Sequence, residues 1–319
     1  MPSPIDAQSF SVKRSQVEFH NFASLGDTDR AIAHYLDENA RRASVIQAHR
    51  EFIGPMTPFL EIGANAGHTS YMLANQFSGE GFALDLSADA LRHGVVLMDR
   101  WRLSRAPIRV AGDAVNLPFR DGSIQFVMAC QMLSQFMNIE SVFLEVKRVL
   151  APGGVFLFTE EPLRRLLSLR LYRTPYQDRM KPWERKLFDC GLLGYLARDV
   201  IGAEQEESFG IRQNHKMYLG DWRRLIAKHF AEHRYKPFVP ERGWGEWIVK
   251  RAALNEWRAA RLLGGTLAAI CKKAGSAQPL GGLDRFETLL RCPDCHGDLD
   301  IVGFRFGKIR LDDEQSHAL

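Results

Sequence analysis

The architecture of this chain can be read from one stretch, FLEIGANAGHTSYMLA, residues 59–74. It begins as a short apolar run that carries Glu61, passes through Gly63 and Gly67, and continues with a helical composition. This order predicts a strand, a tight turn and a helix, because glycine adopts backbone angles that are sterically unfavourable for other residues. Two explanations of the glycines are open at this point: a tight turn alone, or a turn against which a ligand lies.

The segments that follow repeat the alternation of strand and helix. Short apolar runs (PFLEIG, GFALDLS, PIRVAGDA, SIQFVMAC, GGVFLFTE) are interleaved with helical segments such as HTSYMLANQF, ADALRHGVVLMDRW and NIESVFLEVKRVL. Further on, LGDWRRLIAKHF predicts a helix with Asp221 as its N-cap, and HRYKPFVP and GTLAAICKK predict two more strands. The predicted fold is α/β, with a seven-stranded, mostly parallel sheet, helices on both faces, a helical cap insertion and a short C-terminal tail.

Composition is that of an ordinary globular protein: 319 residues, 45% hydrophobic and 25% charged. No stretch approaches 18 uninterrupted apolar residues and the N-terminus does not resemble a signal peptide, so neither a transmembrane segment nor secretion is expected. Five cysteines are too few for a disulfide framework, which favours a cytoplasmic protein. A net charge of +4 is too small to indicate nucleic-acid binding.

Five regions are predicted along the chain. Residues 1–56 form a helical lead-in, 57–160 the ligand-binding core, and 161–215 a helical cap. Residues 216–275 complete the sheet, and 284–319 form a tail that follows a Gly/Ser/Pro-bearing linker.

The glycine spacing argues against a dinucleotide. A dinucleotide-binding turn reads G-x-G-x-x-G, whereas this turn reads E-x-G-x-x-x-G. The Glu61 carboxylate would repel a pyrophosphate but could accept hydrogen bonds from a cationic, amino-acid-like group. In an open α/β sheet such a ligand binds at the carboxyl ends of the strands.

Four motifs between about residues 57 and 160 resemble class I S-adenosylmethionine-dependent methyltransferases, particularly the ubiquinone/menaquinone subgroup. They are LEIGANAG, FALDLS, GDAVNLPFRDGSIQFV and EVKRVLAPGGVFLFTE, and they occur in the family's order. The resemblance implies a Rossmann-like fold and S-adenosyl-L-methionine as cofactor.

The resemblance also implies roles for individual residues. The first motif would wrap the methionine end of the cofactor, Asp85 would accept hydrogen bonds from both ribose hydroxyls, and Asp113 with the next residue would contact the adenine. The cofactor-binding residues expected on this basis are Glu61, Gly63, Ala64, Asn65, Gly67, Asp85, Leu86, Asp113, Ala114, Cys130 and Gln131.

Methyl transfer requires alignment of the acceptor and, for oxygen or carbon acceptors, a base. His215 is the predicted base, because imidazole takes up a proton near neutral pH and this residue precedes a helix whose start would face the pocket. A surface or packed histidine is the alternative, and Glu161, His20 and Tyr218 are weaker candidates.

The acceptor is expected to be a small molecule, a saccharide or a lipid-linked compound. Residues 160–186 carry eight Arg or Lys among leucines and aromatics, which suits an anionic acceptor or peripheral contact with a membrane; a solvated helix face is the alternative. A tRNA or rRNA methyltransferase is disfavoured, because ACQM replaces the Asn/Asp-Pro-Pro-aromatic run of N-methylating enzymes. A non-catalytic scaffold that binds S-adenosylmethionine is the third alternative.

The tail sequence LLRCPDCHGDL resembles the first half of a small zinc-ribbon module. Cys292 and Cys295 are the predicted metal ligands, but a structural zinc takes four ligands and the second CxxC is absent. His296, His317 or a second chain would have to complete the site, so bound zinc and an empty half-site are both open. A redox role is less favoured from the sequence, because the motif lacks the helix N-terminus and strand context that lower a thiol pKa. The tail is expected to contribute little to the chemistry.

Overall fold

The computed structural model describes residues 28–136, 138–163, 217–238, 255–280, 286–305 and 308–312, with isolated positions at 182, 183 and 186. The chain begins there with helix α1 (Thr28–Ala48) and the short helix α2 (Arg50–Ile53). In these ranges, no helix combines the length and the apolar character needed to cross a membrane.

A seven-stranded sheet follows. Its strands are β1 (Phe59–Ile62), β2 (Gly81–Asp85), β3 (Ile108–Ala111), β4 (Ile124–Cys130), β5 (Leu150–Leu163), β6 (Glu232–Phe238) and β7 (Gly265–Lys272). The helices between them are α3 (His68–Gln76), α4 (Ala88–Trp101), α5 (Ile139–Val149), α6 (Leu219–His229) and α7 (Glu256–Leu263). A separate hairpin, β8 (Asp300–Arg305) and β9 (Lys308–Asp312), lies in the tail.

The spatial order of the sheet is β3-β2-β1-β4-β5-β7-β6. The first five strands are parallel, and β7 runs antiparallel to both β5 and β6. The predicted seven-stranded, mostly parallel α/β fold is therefore confirmed.

Helices cover both faces of the sheet, as alternation along β4 shows. Val127 packs in the cluster that contains α5 and α6, whereas Phe126 and Met128 pack in the cluster that contains α1 and α3. Helix α5 fits this arrangement because its buried residues recur at three- and four-residue spacing: Ile139, Val142, Phe143, Val146 and Val149. Both clusters consist of buried side chains, which is why β1 and β4 are mostly apolar on both sides.

Two predicted boundaries differ from the structure. Strand β5 continues to Leu163, beyond the expected end of the core at residue 160, because it pairs with β7 as far as Gly265. Asp221 is not the N-cap of α6: Tyr218 holds that position, and the Asp221 carboxylate accepts the Tyr218 N–H at 3.2 Å. The predicted cap, 161–215, lies almost entirely outside the described residues.

The described part of the tail packs against the core, although a Gly/Ser/Pro-bearing linker precedes it. Leu290, Cys292 and Leu299 belong to the main buried cluster. Leu290 pairs with Phe119 in an isolated bridge. Two backbone hydrogen bonds strengthen the contact, from Arg120 N–H to Leu289 O at 2.9 Å and from Arg291 N–H to Pro118 O at 3.2 Å. Sequence spacing gave no sign of this contact, because the two segments are about 170 residues apart.

Replacing Leu290 by Ala should therefore destabilise the whole core. Leu290 is 3% exposed, and truncating a buried leucine lowers the free energy of unfolding by about 2–5 kcal/mol. Urea denaturation followed by circular dichroism measures the effect. Leu280→Ala is the matched control, because Leu280 is 42% exposed and its truncation should change stability by less than about 0.5 kcal/mol. Equal, small effects of the two substitutions would contradict the docking of the tail.

Candidate functional site

The glycine turn after β1 has a backbone that requires its glycines. Gly63 has φ 68°, and a Cβ there would lie 2.8 Å from the Met132 Cβ. Gly67 has φ 78° and is the N-cap of α3, with no side chain to accept the first helical N–H groups. The turn is closed by a hydrogen bond from Gly67 N–H to Ala64 O at 2.7 Å. The chain therefore turns tightly after β1 and packs against Met132, in the segment that follows β4. Helix α3 begins directly after this turn, at the carboxyl end of β1.

Glu61 is buried within β1, 2% exposed. Its Oε2 accepts the Ser70 N–H at 2.7 Å and the Ser70 hydroxyl at 2.5 Å. Burial raises the pKa of this carboxyl group, although His68 and the Ser70 hydrogen bond act in the opposite direction. These hydrogen bonds fix the first turn of α3, so Glu61 stabilises the glycine turn from its buried side.

Asp85 lies at the end of β2 and joins three loops. Its Oδ2 accepts the Asn65 N–H at 2.7 Å, and its Oδ1 accepts the Ser87 N–H at 2.9 Å. Its backbone carbonyl accepts the Gly112 N–H at 2.9 Å. Leu86 follows directly. Because a carboxylate oxygen has two lone pairs, each oxygen of Asp85 retains capacity for a further donor.

The remaining expected residues lie at the ends of the neighbouring strands. Asp113 follows β3, and its carboxylate accepts the Val115 N–H at 3.1 Å, while Ala114 is buried. Cys130 ends β4, and the Gln131 N–H donates to Thr159 O at 3.0 Å. Ten of the eleven residues expected from the resemblance thus lie at the carboxyl ends of β1, β2, β3 and β4 or in the turns that follow them, and the eleventh, Glu61, lies inside β1.

Three of the six described non-glycine residues with positive φ lie at the same edge. Asn65, Gln131 and Glu160 have φ of 51°, 52° and 64°, in the left-handed region that non-glycine residues seldom adopt. Each lies at the carboxyl-end side of a central strand: Asn65 after β1, Gln131 after β4, and Glu160 near the end of β5. Such conformations persist only where the surrounding structure enforces them, and they cluster at functional sites.

Helix α1 adds a buried charged cluster that the sequence did not reveal. Arg42 is 4% exposed; its Nη2 donates to Glu160 Oε2 at 2.6 Å and lies 3.4 Å from Glu38 Oε2. Its Nη1 donates to Thr69 Oγ1 at 2.8 Å and contacts His68 Nε2 at 2.6 Å. These contacts connect α1, the start of α3 and the end of β5.

The charges of this cluster support one another. Burial alone would raise the pKa of Glu38, but the hydrogen bond from His68 and the charge of Arg42 outweigh it and lower that pKa to about 2. Glu38 is therefore ionised at neutral pH. Among the described residues, Asn39 Oδ1, Arg42 Nε and His68 Nδ1 are buried polar atoms without a hydrogen-bond partner.

Glu161, a candidate base from the sequence, is placed so that it positions the turn that follows β4. It is fully buried, and its carboxylate accepts the N–H groups of Met132, Leu133 and Ser134 at 2.8–2.9 Å. Burial raises its pKa to about 7, against the lowering effect of these donors. Glu161 thus holds the 3₁₀ turn Leu133–Gln135 over the end of β4.

The other candidates are dispersed or lie outside the described residues. His215, His20 and His317 fall outside them. Tyr218 caps α6 and is 37% exposed. Cys292 is buried and Cys295 exposed, and no group of three or more His, Cys, Asp or Glu side chains in the described ranges could hold a metal ion. The described part of the tail therefore supplies only two of the four ligands of a structural zinc site.

Comparison with known proteins agrees with this geometry. A family model described as "Methyltransferase domain" matches residues 60–158. This segment, 99 of the 319 residues, is similar to a methyltransferase domain. It contains the glycine turn, Asp85, Asp113 and the end of β4.

Similar proteins include several methyltransferases. Norajmaline N-methyltransferase of Rauvolfia serpentina is 25% identical over 52% of this chain and 53% of its own length. Fatty-acid O-methyltransferase of Mycolicibacterium smegmatis is 30% identical over 42% of this chain and 43% of its own length. A protein of the same bacterium, named a probable S-adenosylmethionine-dependent methyltransferase, is 28% identical over 55% of this chain and 67% of its own length. The match thus spans about half the length of the first of these relatives.

Replacing Glu161 by Gln should change how stability depends on pH. A carboxyl group whose pKa is raised from 4.5 to about 7 binds more protons in the folded than in the unfolded state between these values. Its contribution is therefore fully present below about pH 4.5 and is lost as the pH rises to about 7, by about 3 kcal/mol in total, since one pKa unit corresponds to about 1.4 kcal/mol.

The measurement is the free energy of unfolding by urea at several pH values between 5 and 8. Glutamine does not ionise, so the stability advantage of the wild type over Glu161→Gln should shrink as the pH rises. An advantage that stays constant across this range would contradict the raised pKa of Glu161.

Proposed function

We propose that this chain is an S-adenosylmethionine-dependent methyltransferase that acts on a small-molecule acceptor. The observation that carries the proposal is the Asp85 carboxylate, held by the Asn65 and Ser87 N–H groups at the point where β1, β2 and β3 release their loops. The similarity of residues 60–158 to a methyltransferase domain and the named activities of the chain's relatives support the reaction type.

The residues present suit this cofactor. Gly63 and Gly67 allow the positive φ angles that bring the chain tightly from β1 into the N-terminus of α3, the position at which an amino-acid-like ligand end would meet backbone N–H groups. The free lone pairs of Asp85 suit two hydroxyl groups on neighbouring carbons, as in a ribose. The unpartnered polar atoms of Asn39, Arg42 and His68 lie beside the same turn, where the polar methionine end of the cofactor would reach.

Each region of the site has a separate task in this proposal. The bound cofactor would supply a methyl group already activated by a sulfonium charge. The glycine turn, from Glu61 to Gly67, would hold its methionine end, Asp85 and Leu86 its ribose, and Asp113 and Ala114 its adenine. Cys130 and Gln131, at the end of β4, would border the reacting methyl group.

The chain would then contribute mainly alignment. Transfer from a sulfonium is an in-line displacement, so fixing the acceptor close to the methyl group supplies much of the rate enhancement. Glu161 positions the turn after β4, and Arg42 fixes the end of β5 against α1, so both would shape the acceptor side without contacting the reacting atoms.

The acceptor is proposed to be a saccharide or lipid-linked small molecule, methylated on oxygen or carbon with His215 as the base. The basic segment at residues 160–186 supports an anionic or lipid-bound acceptor. The four ordered motifs support a place near the ubiquinone/menaquinone subgroup. Screening for S-adenosylmethionine consumption against pools of acceptors, with nucleic acids included, tests the reaction; binding without turnover on any pool would favour a scaffold role.

Replacing Asp85 by Asn should weaken cofactor binding at least tenfold. The substitution keeps the side chain's size but removes the charge that strengthens hydrogen bonds to hydroxyl groups, each worth about 1.5–3 kcal/mol. Calorimetry with S-adenosylhomocysteine measures the affinity. Asp89→Asn is the matched control, since Asp89 lies four residues further along the chain, in the first turn of α4, and is exposed. Unchanged affinity in Asp85→Asn would contradict the assignment of the ribose site.

Replacing His215 by Ala should lower turnover by about a hundredfold or more with little change in cofactor affinity, because general-base catalysis contributes about 10²–10⁴-fold. The acid limb of the pH–rate profile should also disappear, since the wild type would lose rate as imidazole becomes protonated. The readouts are steady-state rates from pH 5 to 9 and calorimetry. Full turnover with an unaltered acid limb would remove His215 from the mechanism.

A further inference from the structure

Cys292 and Cys295 lie in one tight turn of the tail. The Cys292 N–H donates to Gly297 O at 2.9 Å, and the His296 N–H donates to Cys292 O at 3.0 Å. These two hydrogen bonds hold residues 292–297 in one turn, so the two cysteines are close neighbours within it. The turn thus brings together two side chains that can react with each other.

The spacing suits a disulfide. Residues i and i+3 of a turn have α-carbons less than about 7 Å apart, and a disulfide spans about 4.4–6.8 Å between α-carbons. His296 takes a left-handed conformation, φ 62°, directly after the second cysteine, which returns the chain towards Cys292. No large backbone movement is needed to join the sulfurs.

The two thiols differ in access. Cys295 is exposed, whereas Cys292 is 4% exposed and packs with Leu290 and Leu299 in the main core cluster. An external oxidant therefore meets Cys295 first, and Cys292 lies ready as the second thiol.

We infer that Cys292 and Cys295 form a redox-active pair that closes to an intramolecular disulfide in the presence of a small disulfide such as oxidised glutathione. The Cys295 thiolate attacks the small disulfide, forms a mixed disulfide and releases one thiol. Cys292 then attacks the Cys295 sulfur and releases the second thiol. In total the protein dithiol loses two electrons and two protons, and one small disulfide becomes two thiols.

The position of the pair connects it to the segment that is similar to a methyltransferase domain. Arg291, next to Cys292, donates to Pro118 O from its backbone and pairs with Asp121 at 3.1 Å through its side chain. The segment 118–121 continues from Asp113 and Ala114, which are proposed to meet the adenine. The disulfide would therefore form at the residue adjacent to this contact.

Peptide mapping of the full-length protein tests the inference without any substitution. Trypsin cleaves after Arg291 and Arg305, so both cysteines fall in one peptide, 292–305. After incubation with an excess of oxidised glutathione and alkylation of free thiols, we expect this peptide to be unalkylated and lighter by two hydrogens than the reduced peptide. A peptide that keeps both thiols, or that carries glutathione on each, would overturn the inference.

Two variants resolve the order of the steps. In Cys292→Ala the reaction should stop at the mixed disulfide, leaving one glutathione on Cys295. In Cys295→Ser the peptide should remain reduced over the same time, because Cys292 is buried. Glutathione that accumulates on Cys292 faster than on Cys295 would contradict the assignment of the attacking thiol.

Metal analysis of the purified protein provides a separate criterion. One zinc per chain, released only when the two thiols are alkylated, would overturn the redox pair in favour of a metal site. The outcome is independent of the proposed methyltransferase reaction, because neither mass mapping nor metal analysis requires the cofactor.

Discussion

The structure depends on the parallel pairing of β1 with β2 on one side and β4 on the other. The carboxyl ends of parallel strands lie at the same edge of a sheet, so the loops that follow β1, β2 and β4 all begin at that edge. The chain uses that edge for its polar groups: Asp85 connects the loops after β1 and β2, and Glu161 secures the turn after β4. Because each carboxylate accepts backbone N–H groups of a neighbouring loop, the geometry of one loop is set by the residue at the end of another strand.

Two adjacent glutamates near the end of β5 illustrate how closely this edge is specified. Glu161 points into the core and is neutral or charged according to a pKa of about 7, while Glu160 takes a left-handed backbone angle and pairs with Arg42. The register shift between β5 and β7 at this position accompanies the change of direction. The end of β5 thus contacts two elements: Glu161 binds the turn after β4, and Glu160 pairs with Arg42 of helix α1.

Local pattern was enough to predict the strands, the glycine turn and the sheet class, because these depend on residues within a few positions of one another. The Arg42 cluster could not be predicted in this way: Arg42 and Glu160 are 118 positions apart, and the Arg-Arg pair in α1 has the composition of a solvated helix face. The packing of the tail could not be predicted for the same reason, since Leu290 and Cys292 lie beyond a Gly/Ser/Pro-bearing linker. Glu161 was only a weaker candidate base from the sequence, and its three backbone donors point instead to a positioning role.

The place of β7 has a consequence for the newly made chain. Strand β7 lies between β5 and β6, so β5 has no partner on that side until residues 265–272 have been synthesised. By then more than a hundred residues have followed β5, and an unpaired strand edge is a template for pairing with other chains. N-terminal segments fold first during synthesis on the ribosome. The half-sheet β3-β2-β1-β4-β5 therefore has an unpaired edge, that of β5, until β7 has been made. The period between synthesis of β5 and of β7 is thus the stage at which nascent chains of this protein are most exposed to aggregation.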